Sequence, residues 1–331
     1  MESNGMIQSF ENKSILVTGS TGFLSKLFVE KLLRVQPNVK QLYLLFRPAD
    51  ASSPTQRLHK DVTGKEVFRL LRKKHGLGFD SFISEKVTPV FGDVSLENLG
   101  IKDSEVEKKM HKEIDIVANF AATTNFEERY DVALAVNTTG PKHVMELAKK
   151  RAKLYGWLIT YAFTKGMGEI TIDHLKGNLP VVIVRPTIVT STYSEPFPGW
   201  TEGFKSLDPM VISLGIGMLP CFLGDNESFF NIIPGDMVVN AIIAAMVNHS
   251  NNNIFSGDKD RYVYHISIST HKEQTSIIKL LSFAYDYFRE NPWRNGDSSE
   301  IVKPVFFPTM TSFREHIHTN FVVPKKDAVQ L

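Results

Sequence analysis

The chain has 331 residues, 42% of them hydrophobic, with 38 basic against 36 acidic side chains and a formal net charge of +2. That length and apolar content support a large core, and so small a net charge argues against a nucleic-acid partner. One cysteine, Cys221, excludes an internal disulfide and fits a reducing compartment; no CxxC or His-rich tract suggests a metal, the polar start lacks a secretory h-region, and no stretch approaches the roughly 20 apolar residues of a membrane span.

The first element is Ile15 to Val17, a short β-branched run closed by Thr18-Gly19-Ser20-Thr21-Gly22. It reads as a buried strand ending in a glycine turn. From there Leu24, Leu27, Phe28, Leu32 and Leu33 share one helical face. Gln41 to Phe46 is a second buried strand. Strand, glycine turn, helix and strand form a βαβ unit, and the helix N-terminus offers backbone N–H groups and a positive dipole end to an anion. The order of the elements makes the glycine pair a candidate pyrophosphate cradle. Arg47, directly after the second strand, stands where a ribose 2′-hydroxyl ligand would be acidic and a 2′-phosphate ligand basic, so it favours NADP over NAD.

Residues 51–85 are polar, with a basic helix carrying Lys60, Lys65, Arg69, Arg72, Lys73 and Lys74. Such a run is a solvated face or a contact for an anionic ligand. Lys86 to Phe91 is a third strand, and Gly92-Asp93 at its carboxyl end lies where an adenine ring would sit. Ile114 to Phe120 is a fourth strand; it runs into Ala121-Ala122-Thr123-Thr124, whose small side chains allow a nicotinamide to come close. A helix follows from about Phe126 past Asn137 to Ala148. A sheet of this kind requires a fifth strand next, but the pattern stays helical and basic from Pro141 to Gly156 and then enters Tyr161-Ala162-Phe163-Thr164-Lys165. The expected sheet therefore lacks one central strand.

Tyr161 and Lys165 are four residues apart and share a helix face. An ammonium beside a phenol favours the phenolate, which makes Tyr161 a candidate proton donor and acceptor at a carbonyl oxygen. Leu179 to Val189 is a further strand containing Arg185-Pro186. Thr190 to Leu223 reads as loops lining an apolar cleft. Pro234-Gly235-Asp236 opens a helix through Val247, with Asp236 expected to cap its first turn. Tyr262 to Ile268 is a strand, Thr275 to Phe288 an amphipathic helix, and Asn291 to Leu331 has no clear period. Cys221 reads as a packed small hydrophobe.

These motifs carry a family resemblance. Val17-Thr18-Gly19-Ser20-Thr21-Gly22-Phe23-Leu24, Leu42 to Arg47, Ala121-Ala122-Thr123-Thr124-Asn125-Phe126, Leu154-Tyr155-Gly156-Trp157, Tyr161 to Glu169, Val184-Arg185-Pro186-Thr187 and Ile232 to Met237 resemble the plant alcohol-forming fatty acyl-CoA reductases, of the extended short-chain dehydrogenase/reductase type. The resemblance implies an α/β, Rossmann-like doubly wound parallel sheet, NADPH as cofactor, and reduction of a long-chain fatty acyl-CoA through an aldehyde to a primary alcohol. It implies cofactor contacts from Thr18, Gly19, Thr21, Gly22, Phe23, Leu24, Arg47, Asp93, Ala121 and Lys165, and catalysis by Tyr161 with Lys165. It also implies an NADP-binding domain over 1–250 and a shortened C-terminal segment over 251–331, in a cytoplasmic or endoplasmic-reticulum-associated protein with no transmembrane segment. The basic stretches at 60–74 and 149–153 become candidate contacts for the phosphates of CoA.

Two positions depart from the family pattern. The family's fifth strand carries a catalytic serine or threonine, whereas this chain has no serine between Ser104 and Ser191, placing a deletion between about Lys150 and Lys153. Ser25 replaces the usual alanine or glycine. A missing hydroxyl at a developing oxyanion leaves open a nucleotide-binding variant with impaired chemistry; a reductase or epimerase of a small alcohol or sugar uses the same Tyr-Lys pair.

Overall fold

The computed structural model describes residues 9–48, 52–123, 129–148, 153–157, 162–177, 179–204, 207–225, 229–249, 261–268, 275–292 and 301–322. β1 (Ser14–Thr18) is buried along its whole length and leads into α1 (Phe23–Val35) and β2 (Gln41–Phe46). Short helices, among them α2 (Arg69–His75) and α3 (Phe79–Lys86), connect to β3 (Val87–Phe91). Next come α4 (Ser104–Glu113), capped by the Asp103 carboxylate, and β4 (Ile116–Asn119). The long helical stretch from Tyr130 widens into a π-type turn at Ala135–Thr139 before α5 (Gly140–Ala148). β5 (Lys153–Trp157), α6 (Ala162–Leu175), β6 (Val181–Pro186), α7 (Gly235–Asn248) and β7 (Arg261–Ile266) complete the larger unit.

The seven strands form one sheet in the order β7-β6-β5-β4-β1-β2-β3, and every pair is parallel. This is the expected doubly wound arrangement, with its crossover reversal between β1 and β4. The expected gap is absent. Lys153–Trp157 takes the fifth place, aligned from Ile116↔Lys153 to Asn119↔Gly156 on one side and from Leu154↔Val181 to Trp157↔Val184 on the other. Without a strand there, both β4 and β6 would present unpaired N–H and C=O groups inside the sheet. The segment that directly precedes the Tyr-Lys helix is drawn in to satisfy them. Its sequence, Lys153-Leu154-Tyr155-Gly156-Trp157, carries neither serine nor threonine. The helix expected to run to Gly156 is described as far as Ala148, and Lys153–Trp157 is strand instead.

Leu16, Tyr43, Val117 and Ile183 of the sheet pack with Val144 and Leu147 of α5 and Ile172 of α6. Both faces of a parallel sheet must be covered, hence the unbroken apolar strands. Tyr43 is fully buried, and its hydroxyl donates to Glu113 Oε2 at 2.9 Å; burial, with the Glu113 charge adding to it, pushes the phenol well above its ordinary range. Ser25 is 0% exposed, and its hydroxyl has no partner among the described residues. Ser25→Ala removes a buried polar group that burial penalises by about 1 kcal/mol or more, and alanine is the better helix former. The variant is expected to melt a few degrees higher; a lower melting temperature by circular dichroism would contradict the assignment.

By contact the chain divides into two units: Met1–Pro186 with Ser191–Thr201 and Pro234–Ile266, and Thr187–Thr190 with Glu202–Ile233 and Ser267–Leu331. Within the second, helix Asp208–Gly215 packs on helix Ile277–Glu290 through Leu214, Ile277, Leu281 and Ala284. Gly215 lies under the Phe288 ring, so close that an added Cβ would stand 2.6 Å from it. The expectation of loops from 190 to 223 is corrected here: Asp208–Gly215 is a helix, too short and too largely apolar to show an amphipathic stripe. In the C-terminal stretch, Met310–Ile317 is a helix capped by Thr309, whose hydroxyl accepts from the Ser312 N–H. Cys221 lies buried on a short strand paired with Val305–Phe307, and burial pushes its thiol up, away from nucleophilic thiolate. Among the described residues no helix is long and apolar enough to cross a membrane.

Candidate dinucleotide and active site

The glycine turn is fixed by the approach of two strand ends. Gly19 has φ +65, and a Cβ there would stand 2.7 Å from Ala121 N and the Phe120 carbonyl carbon. Only glycine accepts both conditions. The Gly22 N–H donates to the Gly19 carbonyl at 2.8 Å, and the Ser20 hydroxyl donates to the Val17 carbonyl at 3.1 Å. Thr18 is fully buried: its hydroxyl donates to Asn119 Oδ1 and accepts from the Ala121 N–H at 3.2 Å. Thr18 therefore stitches β1 to β4, and Ala121 takes part through its backbone. Thr21 and Gly22 are exposed and Leu24 is half-buried. Phe23 turns inward, 7% exposed, to stack on Trp200 at 5.0 Å. Among the described residues a Cβ on Gly22 would meet only the Gly19 oxygen, at 3.0 Å, so those residues leave the outer face of the turn open above the first turn of α1. That open cradle fits a pyrophosphate.

At the edge of β2, the Arg47 side chain is 68% exposed and its Nε lies 4.0 Å from Asp93 Oδ2. Asp93 Oδ1 accepts from both the N–H and the hydroxyl of Ser95, at 2.9 and 2.7 Å, which orders the turn after β3. The basic stretch is largely engaged within the fold. Arg72 donates to the Thr63 and Lys65 carbonyls, Lys74 to the Arg34 carbonyl, and Arg69 pairs with Glu66. Residues 149–152 lie outside the described residues, so that half of the CoA-phosphate expectation has no structural counterpart here.

Lys165 falls on α6, whose backbone is described there; Tyr161 lies outside the described residues. What the structure defines is the seating of their helix. A Cβ on Gly168 would stand 2.6 Å from the Asn137 carbonyl oxygen, so α6 packs backbone to backbone on the π-type turn. One turn position further, Glu169 accepts two hydrogen bonds from Arg185 at the end of β6, from Nε at 2.9 Å and from Nη2. Hydrogen bonding to Glu169 holds the Arg185 guanidinium above its ordinary range, against the effect of burial. Asn137 itself is fully buried; its Oδ1 accepts from the Thr123 N–H at 3.1 Å and its Nδ2 lies 3.5 Å from the Thr123 carbonyl. It thereby shapes the loop after β4. Asn137 and the Glu169–Arg185 pair leave no local signal in the sequence; for Gly168, a glycine inside a helix is the signal of close packing.

Asp236 does not cap its own helix. Its carboxylate accepts from the N–H groups of Tyr193, Ser194 and Glu195 at 2.8, 2.8 and 3.0 Å. Burial works to raise its pKa, but these backbone donors outweigh it and hold the carboxyl below its ordinary range. Among the described residues no cluster of His, Cys, Asp or Glu could hold a metal ion.

A parallel sheet with a glycine turn at its crossover reversal defines a Rossmann-like, dinucleotide-binding class of fold. A structure of the reductase domain of a Mycobacterium tuberculosis nonribosomal peptide synthetase shares that fold at TM-score 0.66 and 16% identity, covering 96% of this chain and 80% of its own. An NAD-binding family model described as "Male sterility protein" matches residues 17–156 and 150–242. The probable fatty acyl-CoA reductase 5 of Arabidopsis thaliana is 39% identical over 398 aligned positions, covering 96% of this chain and 79% of its own. The alcohol-forming fatty acyl-CoA reductase of Simmondsia chinensis is 37% identical over 98% of this chain and 81% of its own. The chain belongs to the fatty acyl-CoA reductase family. The alignment of 398 positions exceeds the 331 residues present, and the family match breaks at 150–156, the junction where the sequence departs from the family pattern. A putative fatty acyl-CoA reductase 7 of Arabidopsis thaliana aligns over only 339 positions, at 34% identity and covering 98% of this chain and 79% of its own.

Proposed function

We propose that this chain reduces a long-chain fatty acyl-CoA to a primary alcohol, with NADPH as the reductant and the aldehyde as intermediate. The observation that carries the reading is the open glycine cradle at Gly19 and Gly22 in a chain of this family. Gly19, Thr21, Gly22 and the first N–H groups of α1 hold the pyrophosphate, with Thr18 and Ala121 keeping the turn in shape. Arg47, exposed at the end of β2, supports NADPH, because its guanidinium can pair with a 2′-phosphate. When bound, one NADPH would supply a hydride to the thioester carbon and, once the NADP+ formed has been exchanged, a second NADPH would supply a hydride to the aldehyde carbon. Between the two, the hemithioacetal carbon–sulfur bond breaks and CoA leaves as the thiol. Tyr161 gives a proton to the carbonyl oxygen at each reduction, and Lys165 lowers its pKa and holds the nicotinamide ribose.

The test is turnover by the purified chain. Tyr161→Phe is expected to slow NADPH oxidation with a long-chain acyl-CoA by about a hundred- to ten-thousand-fold. Arg47→Ala is expected to raise KM for NADPH about tenfold or more and to leave the NADH constant nearly unchanged. Equal rates for wild type and Tyr161→Phe would remove the assignment of the proton donor. A second reading is favoured by one observation, the absence of serine and threonine from Lys153–Trp157. On that reading the chain binds the dinucleotide without turnover, and NADPH raises its melting temperature while no alcohol forms.

A further inference from the structure

Residues 191–201 leave the second unit in sequence and belong to the larger one, between the segments 187–190 and 202–233 that do not. Their contacts concentrate on α1, the helix whose N-terminus forms the cradle. Thr192, 3% exposed, closes them into a loop: its hydroxyl donates to the Phe197 carbonyl at 2.7 Å and accepts from the Trp200 N–H at 2.9 Å, while its own N–H donates to the Trp200 carbonyl at 3.0 Å. The loop touches α1 at both ends. Trp200 stacks on Phe23 in the first turn, ring centroids 5.0 Å apart and planes 19° from parallel. Glu195 accepts from Lys31 at 2.5 Å and from Arg34 at 3.0 Å near the last turn. Between these points the Arg69 guanidinium of α2 lies 4.1 Å from the Phe197 ring. From behind, Asp236 gathers three successive N–H groups of the loop. The adjacent Gly235 brings α7 so near that an added Cβ would stand 2.7 Å from the Phe23 ring.

We infer that Asp236 and Trp200 are positioning residues for the dinucleotide: they clamp the 191–201 strap along α1 and so fix the first turn of that helix beneath the glycine cradle. The inference rests on the dinucleotide reading of that cradle. An anion site made of backbone N–H groups works only when those groups are held in place, because its donors cannot reorient individually as side chains do. Phe23 is the first residue of α1, and its ring contacts both the Trp200 indole and Gly235, so its position is set from outside the helix. Neither Asp236 nor Trp200 touches the proposed pyrophosphate site, and both act through Phe23 and the strap backbone.

The experiment measures NADPH dissociation constants by equilibrium titration for wild type, Trp200→Ala, Trp200→Phe and Asp236→Asn. Hydrogen exchange of the first turn of α1 is followed in the same proteins without cofactor. Core variant Val144→Ala serves as a control for general destabilisation. Trp200→Ala and Asp236→Asn are expected to weaken NADPH binding about tenfold, the scale of one lost aromatic pair or charge-assisted hydrogen bond, and to speed exchange of the Ser25 and Lys26 amides. Trp200→Phe is expected to restore most of the affinity, and Val144→Ala to melt earlier with an unchanged constant. If Trp200→Ala does not fold, Asp236→Asn, which keeps the side-chain shape, decides the matter. Constants within twofold of wild type in both variants overturn the strap's role. No NADPH binding by wild type overturns the dinucleotide reading itself and the inference with it.

Discussion

Gly19→Ala is expected to abolish dinucleotide binding, by more than about a hundredfold in affinity, while Gly22→Ala weakens it with little loss of stability. The contrast follows from what each new methyl meets. At Gly19 the backbone sits at φ +65, which costs a residue with a Cβ about 1–2 kcal/mol. The methyl would also stand 2.7 to 2.8 Å from Phe120 and Ala121 backbone atoms, which the sheet does not let move. The turn must therefore lift away from β4, breaking the Thr18 to Ala121 hydrogen bond and the shape of the cradle. At Gly22 the only near neighbour among the described residues is the Gly19 oxygen at 3.0 Å, and φ −74 suits any residue. Its methyl would intrude chiefly on the space proposed for the pyrophosphate. Equilibrium titration with NADPH and thermal melts of both variants check this; full binding by Gly19→Ala would show that the anion sits elsewhere.

Removing the Arg185 side chain is expected to cost about 3 kcal/mol, the lower end for breaking a buried ion pair. Glu169 is 9% exposed and would be left charged without its fork of donors, while the Arg185 side chain is 38% exposed and its loss is partly screened. Because Glu169 lies on the same helix as Lys165, one turn on, Arg185→Met should also lower kcat by more than it raises KM for NADPH. The double variant Arg185→Met, Glu169→Leu is expected to regain much of the stability, since no buried charge remains, without regaining kcat. Urea unfolding of the single and double variants measures the coupling. Additive losses would show that the two side chains do not depend on each other.

Much of this fold was legible because its signals are local. β1, the glycine turn and α1 follow one another within twenty-two residues, and continuous apolar runs identify strands buried on both faces. The fifth strand was not legible, since Lys153–Trp157 has no apolar run of its own and is a strand only because β4 and β6 need a partner there. Asp236 was misassigned for the same kind of reason: an acidic residue at the start of a helix looks like its cap, yet its carboxylate serves N–H groups more than forty residues earlier in the chain. The Glu169–Arg185 fork and the Asn137 clamp on Thr123 join distant segments, and spacing within a single sequence carries no trace of such pairs.

The most direct test of the account is the stoichiometry of turnover. Purified chain is incubated with NADPH and a long-chain acyl-CoA, and NADPH oxidised, free thiol released and alcohol formed are quantified together. Two NADPH oxidised and one CoA thiol released are expected for each primary alcohol. NADPH that binds without any being oxidised, or oxidation that stops at one per thiol with aldehyde as the end product, would contradict the proposed reaction.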